Sequence, residues 1–240
     1  MAPRQRIGLF GGTFDPVHVG HLSVARRLTE LLSFDYLLFV PAHIAPHKRT
    51  AAVTPALHRY AMLALATADD DRLKVSTVEL DAPERPYTAE TLSRLRSSMG
   101  DDADLFFVMG GDSWNEINTW KDWERLLTMT NHVVVTRPGF DLKTDHVPAE
   151  IRESIIDLRG GTRGSVPEIG SSCGGTKIYL TDVVQMDISA TEIREAVRDG
   201  RGEEAFALLP RSVADYIRKY RLYTNEYRKQ FNDKGTVASS

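Results

Sequence analysis

Two histidines three residues apart, His18 and His21, close a run that opens on adjacent glycines: Gly11-Gly12-Thr13-Phe14-Asp15-Pro16-Val17-His18-Val19-Gly20-His21. Residues without a Cβ let backbone N–H groups approach an anion closely, and a helix that starts after such a loop adds unpaired N–H groups and a partial positive charge. Asp15 and Pro16 suit N-cap and first-turn positions. On a helix, His18 and His21 share one face, with Gly20 leaving room for a ligand beside them, so both imidazoles can donate to one phosphate group. The run reads as a nucleotide-phosphate cradle, and its chemistry is that of a triphosphate.

A second constellation, Ile188-Ser189-Ala190-Thr191-Glu192-Ile193-Arg194, sets hydroxyls at a helix start and a guanidinium one turn on. Alone it is an ordinary N-cap; beside the first run it becomes a second phosphate grip. Lys48, in Pro46-His47-Lys48, has the reach of a mobile point charge for a β- or γ-phosphate. Asp112, after Gly110 and Gly111, is placed either to accept from ribose hydroxyls or to cap the next helix. Trp114, Trp120 and Trp123 crowd one region, where an indole either packs the core or stacks on a planar heterocycle. His18, His21, His43 and His47 also make a zinc set on paper. That reading is weaker, because Pro46 interrupts the helical spacing of the last two and no His-Glu-x-x-His or cysteine pair is present.

These residues need a frame. Apolar runs at residues 6–10, 36–40, 73–78, 105–109, 132–135 and 178–180 read as strands, and helical spacing recurs at 19–32, 55–68, 88–96, 112–127, 188–194 and 210–223. The βαβα order with short, fully apolar strands predicts an α/β fold, a doubly wound Rossmann-like parallel sheet with C-terminal helices. In such a sheet ligands bind beyond the carboxyl ends of the strands. The loops at 11–13, 41–48, 110–112 and 137–139 are therefore expected to converge on one crevice.

Residues 1–223 read as one domain, 224–240 as a weakly ordered tail, and the Gly- and Ser-rich stretch 159–175 as an exposed loop or insertion. A net charge of −3 gives no general attraction to nucleic acid or anionic lipid, so the expected polyanion is small. One cysteine, Cys173, excludes an internal disulfide, and no apolar stretch approaches the roughly 20 residues that span a bilayer. The start of the chain lacks the apolar region of a signal peptide, so a cytoplasmic location is expected. Homo-oligomer formation is not readable from the sequence.

The two phosphate motifs, with Tyr87-Thr88, Thr91-Leu92, the Phe106 to Asp112 segment, Trp120 and Val135-Thr136-Arg137-Pro138-Gly139, resemble the nucleotidyltransferases of the adenylyltransferase superfamily. Within it, the Tyr-Thr, Gly-Gly-Asp and Trp120 pieces are most similar to the bacterial nicotinate-nucleotide adenylyltransferase family, in order over about residues 6 to 223. The match departs at Ala190, where many members carry serine, and at Pro86, where serine is common. The resemblance implies AMP transfer from ATP to nicotinate mononucleotide, giving deamido-NAD and pyrophosphate, with Mg²⁺ accompanying ATP.

By the same resemblance Gly11, Gly12, Thr13, Phe14, His18, His21, Lys48, Gly110, Asp112, Ser189, Thr191 and Arg194 would hold ATP, with His18, His21, Lys48 and Arg194 carrying the chemistry. Thr88, Trp120, Lys121 and Arg137 would receive the pyridine nucleotide. Pantetheine-phosphate adenylyltransferases and cytidylyltransferases share the first motif but not the Tyr87-Thr88 and Trp120 pieces. Class I aminoacyl-tRNA synthetases share His-x-Gly-His, yet no lysine-serine-lysine loop follows here. A nucleotide sensor that kept the cradle and lost turnover is the alternative from a different class.

Overall fold

The computed structural model describes residues 4–43, 53–82, 86–100, 102–137, 139–160, 175–183 and 188–227. Its centre is a seven-stranded sheet of β1 (Gln5–Gly12), β2 (Tyr36–Pro41), β3 (Leu73–Val75), β4 (Ala103–Gly110), β5 (Asn131–Val135), β6 (Ile155–Asp157) and β7 (Ile178–Thr181). The order is β3-β2-β1-β4-β5-β7-β6, and every pairing is parallel.

Helices cover both faces. They are α1 (Val19–Leu31), α2 (Ala56–Thr67), α3 (Thr88–Met99), α4 (Gly111–Asn115), α5 (Trp123–Met129), α6 (Ala149–Arg152), α7 (Ala190–Arg198), α8 (Gly202–Phe206) and α9 (Arg211–Tyr220). Strand alternation divides the core into two layers. Along β4, Phe106 and Val108 pack with Leu28 of α1, Met62 of α2 and Ile217 of α9, whereas Leu105, Phe107 and Met109 pack with Leu92 of α3 and Leu126 of α5. Burial on both faces explains why these strands read as continuous apolar runs.

The chain leaves β1 toward β2 on one side and returns to place β4 on the other, so the winding reverses between β1 and β4. Their carboxyl ends, Gly12 and Gly110, therefore flank the crevice that an open α/β sheet offers a ligand.

Three local expectations need correction. The strand predicted at 73–78 stops at Val75, and the chain turns at residues 78–80. The helix predicted over 112–127 is broken into α4, a 3-10 turn at Ile117–Thr119 and α5, restarting after Asp122 in left-handed backbone at φ 54°. The break lets Trp120 leave the helical path while Trp114 stays fully buried. The third correction adds the pair α6 and β6, the latter an edge strand too short and too half-exposed to leave a periodic pattern. Residues 140–146 lie across α4: Trp114 Nε1 donates to the Lys143 carbonyl at 2.7 Å and Asn115 Nδ2 to the Asp141 carbonyl at 2.9 Å. Near the C-terminus, Tyr227 packs against the core. Residues 161–174, with Cys173, and 228–240 lie outside the described residues. Among the described residues no helix is long and apolar enough to cross a membrane.

Candidate active site

A cavity of about 520 Å³ opens at the β1/β4 switch point. One wall is the end of β1, Gly11 and Gly12 with Thr13; another is Gly110 and Asp112. Thr88 from α3, and Trp120 and Lys121 from the segment before α5, line it as well. A Cβ at Gly110 would meet nothing within 4 Å, so this position leaves the cavity open. Asp112 is exposed in the first turn of α4, whose N-cap is Gly110, so it lines the cavity rather than capping the helix. Lys121 Nζ lies 4.2 Å from the centroid of the Tyr87 ring and 4.0 Å from Glu90 Oε1, bridging the N-terminus of α3 to the Trp120 segment.

The loop after β1 is shaped by aromatic packing. Phe14 has φ 50°, a left-handed backbone that is costly for a bulky residue. Its ring is held against Phe10, Phe39 and His21 at centroid distances of 5.5, 5.3 and 5.1 Å. A Cβ at Gly12 would stand 2.8 Å from that ring, so glycine is required there. Phe14 is 3% exposed, main chain included, so it shapes the loop from within the core.

Asp15 does not cap α1. The N-cap is His18, and Asp15 is buried: its Oδ2 accepts from the Thr54 N–H at 3.1 Å and its Oδ1 from the Tyr223 hydroxyl at 2.8 Å. The partners come from segments far away in sequence, which local spacing does not reveal. Arg59, fully buried on α2, donates from Nη1 to the Thr13 carbonyl at 2.7 Å, from Nη2 to His43 O at 2.9 Å and from Nε to Thr54 O at 2.9 Å. The loop that leaves β1 is thus fixed by side chains arriving from α2 and the C-terminus.

His18 and His21 lie ring against ring, centroids 3.7 Å apart. The His18 N–H donates to His21 Nδ1 at 3.3 Å, which leaves the neutral His21 ring with its proton on Nε2. The His18 ring packs into the room at Gly20: a Cβ there would lie 3.1 Å from His18 Nδ1. Burial, assisted by the charge of Arg137, pushes His18 down to about 4, and burial beside His18 holds His21 well below the ordinary histidine value.

Both rings are therefore neutral donors at pH 7. In the unfolded chain they would titrate near 6.5, so the stability each contributes is lost as pH falls below that value; for His18 the loss runs down to about pH 4 and amounts to about 3 kcal/mol. In an NMR titration the His18 ring is expected to titrate near 4 in the free protein, and to move upward when ATP places negative charge beside it. A free-protein midpoint at 6.5 would show that the ring is solvated instead.

The N-terminus of α7 meets that of α1. Ile188 Cβ is 3.7 Å from where a Gly20 Cβ would stand, and Arg194 donates from Nη1 to the Asp15 carbonyl at 2.7 Å. Its Nη2 donates to Thr191 Oγ1 at 3.0 Å, while Ser189 is the half-buried N-cap. Two helix N-termini, two neutral imidazoles and one guanidinium thus gather beside the loop after β1, a set suited to an anion. Arg137 is exposed at the end of β5, within electrostatic reach of His18.

The predicted residues fall into two adjoining groups. Gly11, Gly12, Thr13, Gly110, Asp112, Thr88, Trp120 and Lys121 line the cavity, whereas His18, His21, Ser189, Thr191 and Arg194 gather at the α1 and α7 N-termini beside it. Lys48, with Pro46 and His47, lies outside the described residues. Among the described residues no three His, Cys, Asp or Glu side chains form a metal-holding group. Sequence reading missed Arg59 and Glu79. A signal for Arg59 was present, since it shares the buried face of α2 with Met62 and Leu63, where a charge is out of place unless it is bonded.

The cytidylyltransferase-like family model matches residues 9–196. A relative from Thermoanaerobacter sp. (strain X514), named "Probable nicotinate-nucleotide adenylyltransferase", is 38% identical over 226 residues, covering 94% of this chain and 98% of the relative. One of the same name from Thermus thermophilus is 40% identical over 219 residues, covering 91% and 100%. Among solved structures, Plasmodium falciparum nicotinic acid mononucleotide adenylyltransferase complexed with APC shares the fold at a TM-score of 0.67 and 18% identity, covering 91% of this chain and 97% of that one. The chain belongs to the cytidylyltransferase-like family and, within it, to the nicotinate-nucleotide adenylyltransferases, and it is a nucleotidyltransferase.

Proposed function

We propose that the chain aligns ATP and nicotinate mononucleotide across the β1/β4 switch point for direct transfer of AMP, and that the side chains in the two groups above carry it. The observation that bears most weight is the cavity itself, which Gly11 to Thr13 of the loop after β1 line together with Thr88, Trp120 and Lys121. The triphosphate lies along Gly11 to Thr13 and the N-termini of α1 and α7, and the pyridine ring enters beside Trp120. An acceptor phosphate oxygen forms the new bond to the α-phosphorus while the bond to the β-phosphate bridging oxygen breaks, and pyrophosphate leaves. The acceptor phosphate is mostly ionised at pH 7, its second pKa being about 6, so no general base is needed.

Catalysis is then alignment and charge neutralisation, of which alignment can supply about 7 to 11 kcal/mol. His21 donates from Nε2 to the phosphate chain, and Arg194 adds a fixed positive charge. Mg²⁺ fits as a companion of ATP: Asp112 is a cavity carboxylate free to face it, and this ion commonly takes one or two carboxylates with substrate phosphates and water. When bound it would supply charge neutralisation on the triphosphate. A cytoplasmic location belongs to the same proposal.

Mixed with Mg-ATP and nicotinate mononucleotide, the protein is expected to release pyrophosphate in step with dinucleotide formation. Release only with another phosphate acceptor would move the chain to a sibling activity, and binding without release would make it a sensor.

A further inference from the structure

Glu79 is a half-buried carboxylate inside the cavity that the transfer reaction leaves without a role. Its Oε1 accepts from the Thr91 hydroxyl of α3 at 2.9 Å, and its Oε2 accepts from the His43 N–H at 3.1 Å. His43 is held from its other side as well, its carbonyl accepting from Arg59, while the neighbouring Ala42 N–H donates to the Gly12 carbonyl at 2.9 Å. One carboxylate therefore links the backbone leaving β2, itself tied to the phosphate loop, to the helix that presents Thr88. Burial raises the Glu79 carboxyl above the ordinary value, opposed by these hydrogen bonds and by the His43 and Arg59 charges.

We propose that Glu79 is a positioning residue that sets the separation between the phosphate-loop wall and the acceptor wall, so that the two substrates meet in line. It rests on the AMP-transfer reading above. The bridge needs two acceptor positions, or one acceptor and one donor, at the reach of a glutamate side chain. Glutamine meets that need: its carbonyl accepts from the His43 N–H and its amide donates to Thr91 Oγ1, whose hydroxyl is free to rotate. Alanine meets neither.

The test compares Glu79→Ala and Glu79→Gln in steady-state kinetics and in amide exchange at His43. Misplacement of reactants by about an ångström can cost about 10²-fold, and it falls on turnover rather than on binding. In Glu79→Ala, kcat is expected to drop by about 10²-fold with both KM values within about threefold, and the His43 amide to exchange faster. Glu79→Gln is expected to stay within about threefold of the parent in kcat and to keep the slow amide. Parental turnover in Glu79→Ala would overturn the proposal, as would a Glu79→Gln variant as slow as Glu79→Ala, which would assign the effect to the charge. If the parent itself transfers no AMP, the proposed function fails separately, and unchanged His43 exchange in Glu79→Ala then refutes the bridge on its own.

Discussion

Replacing His21 by alanine is expected to lower kcat by about 10² to 10³-fold while leaving the KM for the pyridine nucleotide within a few-fold, the cost of removing one preorganised donor to developing charge. The ring has two separate jobs in that proposal, however: Nδ1 accepts from the His18 N–H, and Nε2 carries the proton. Asparagine places an oxygen where Nδ1 stands and nothing where Nε2 stands, so His21→Asn keeps the cap and loses the donor. It is expected to fold like the parent and to be as slow as His21→Ala. Glutamine reaches the Nε2 position, so His21→Gln should regain part of the lost turnover. Parental kcat in His21→Asn would reduce His21 to a helix-capping residue and take it out of the reaction.

The distinction between those two jobs marks where sequence reading stops. The spacing of His18 and His21 placed both rings at one helix start, and the order of short apolar strands gave a parallel sheet whose loops share one end. These features are local: a glycine pair, an i,i+3 repeat and a short apolar run each fit within a short window. The role of Asp15 is different in kind. Four residues before the helical pattern that begins at Val19 it looks like a cap, yet Tyr223 and Thr54 claim its carboxylate from distant parts of the chain. Gly20 shows the same limit, because the neighbouring His18 ring packs into the space it leaves. Glu79 follows β3 with no motif around it, and only the fold brings His43 and Thr91 to it. The broken path from α4 to α5 depends on residues 140–146 lying over Trp114, a contact that helical spacing alone does not record.

Arg59 shows how strongly the phosphate loop depends on such distant support. Its guanidinium is fully buried and serves the carbonyls of Thr13, His43 and Thr54, which no other group described at those positions replaces. Burial lowers its pKa, while Asp15, Tyr223 and Glu79 act in the opposite direction. Arg59→Met fills a similar volume but leaves those carbonyls facing a thioether and removes the positive charge beside Asp15 and Glu79. Breaking a buried charged network by deleting one partner costs about 3 to 5 kcal/mol, a large fraction of the roughly 5 to 15 kcal/mol that holds an ordinary domain together. The urea midpoint is therefore expected to fall by about 1 M or more, since the slope of stability against urea is about 1 to 3 kcal/mol/M. Arg59→Lys keeps the charge on a single nitrogen that cannot span three carbonyls, so it should fall between the parent and Arg59→Met. If Arg59→Met unfolded at the parental urea concentration, the loop would have to be held by the Asp15 contacts with Tyr223, Thr54 and Arg194 instead. In that case Asp15→Ala, and not Arg59→Met, would be the variant that loosens Thr13.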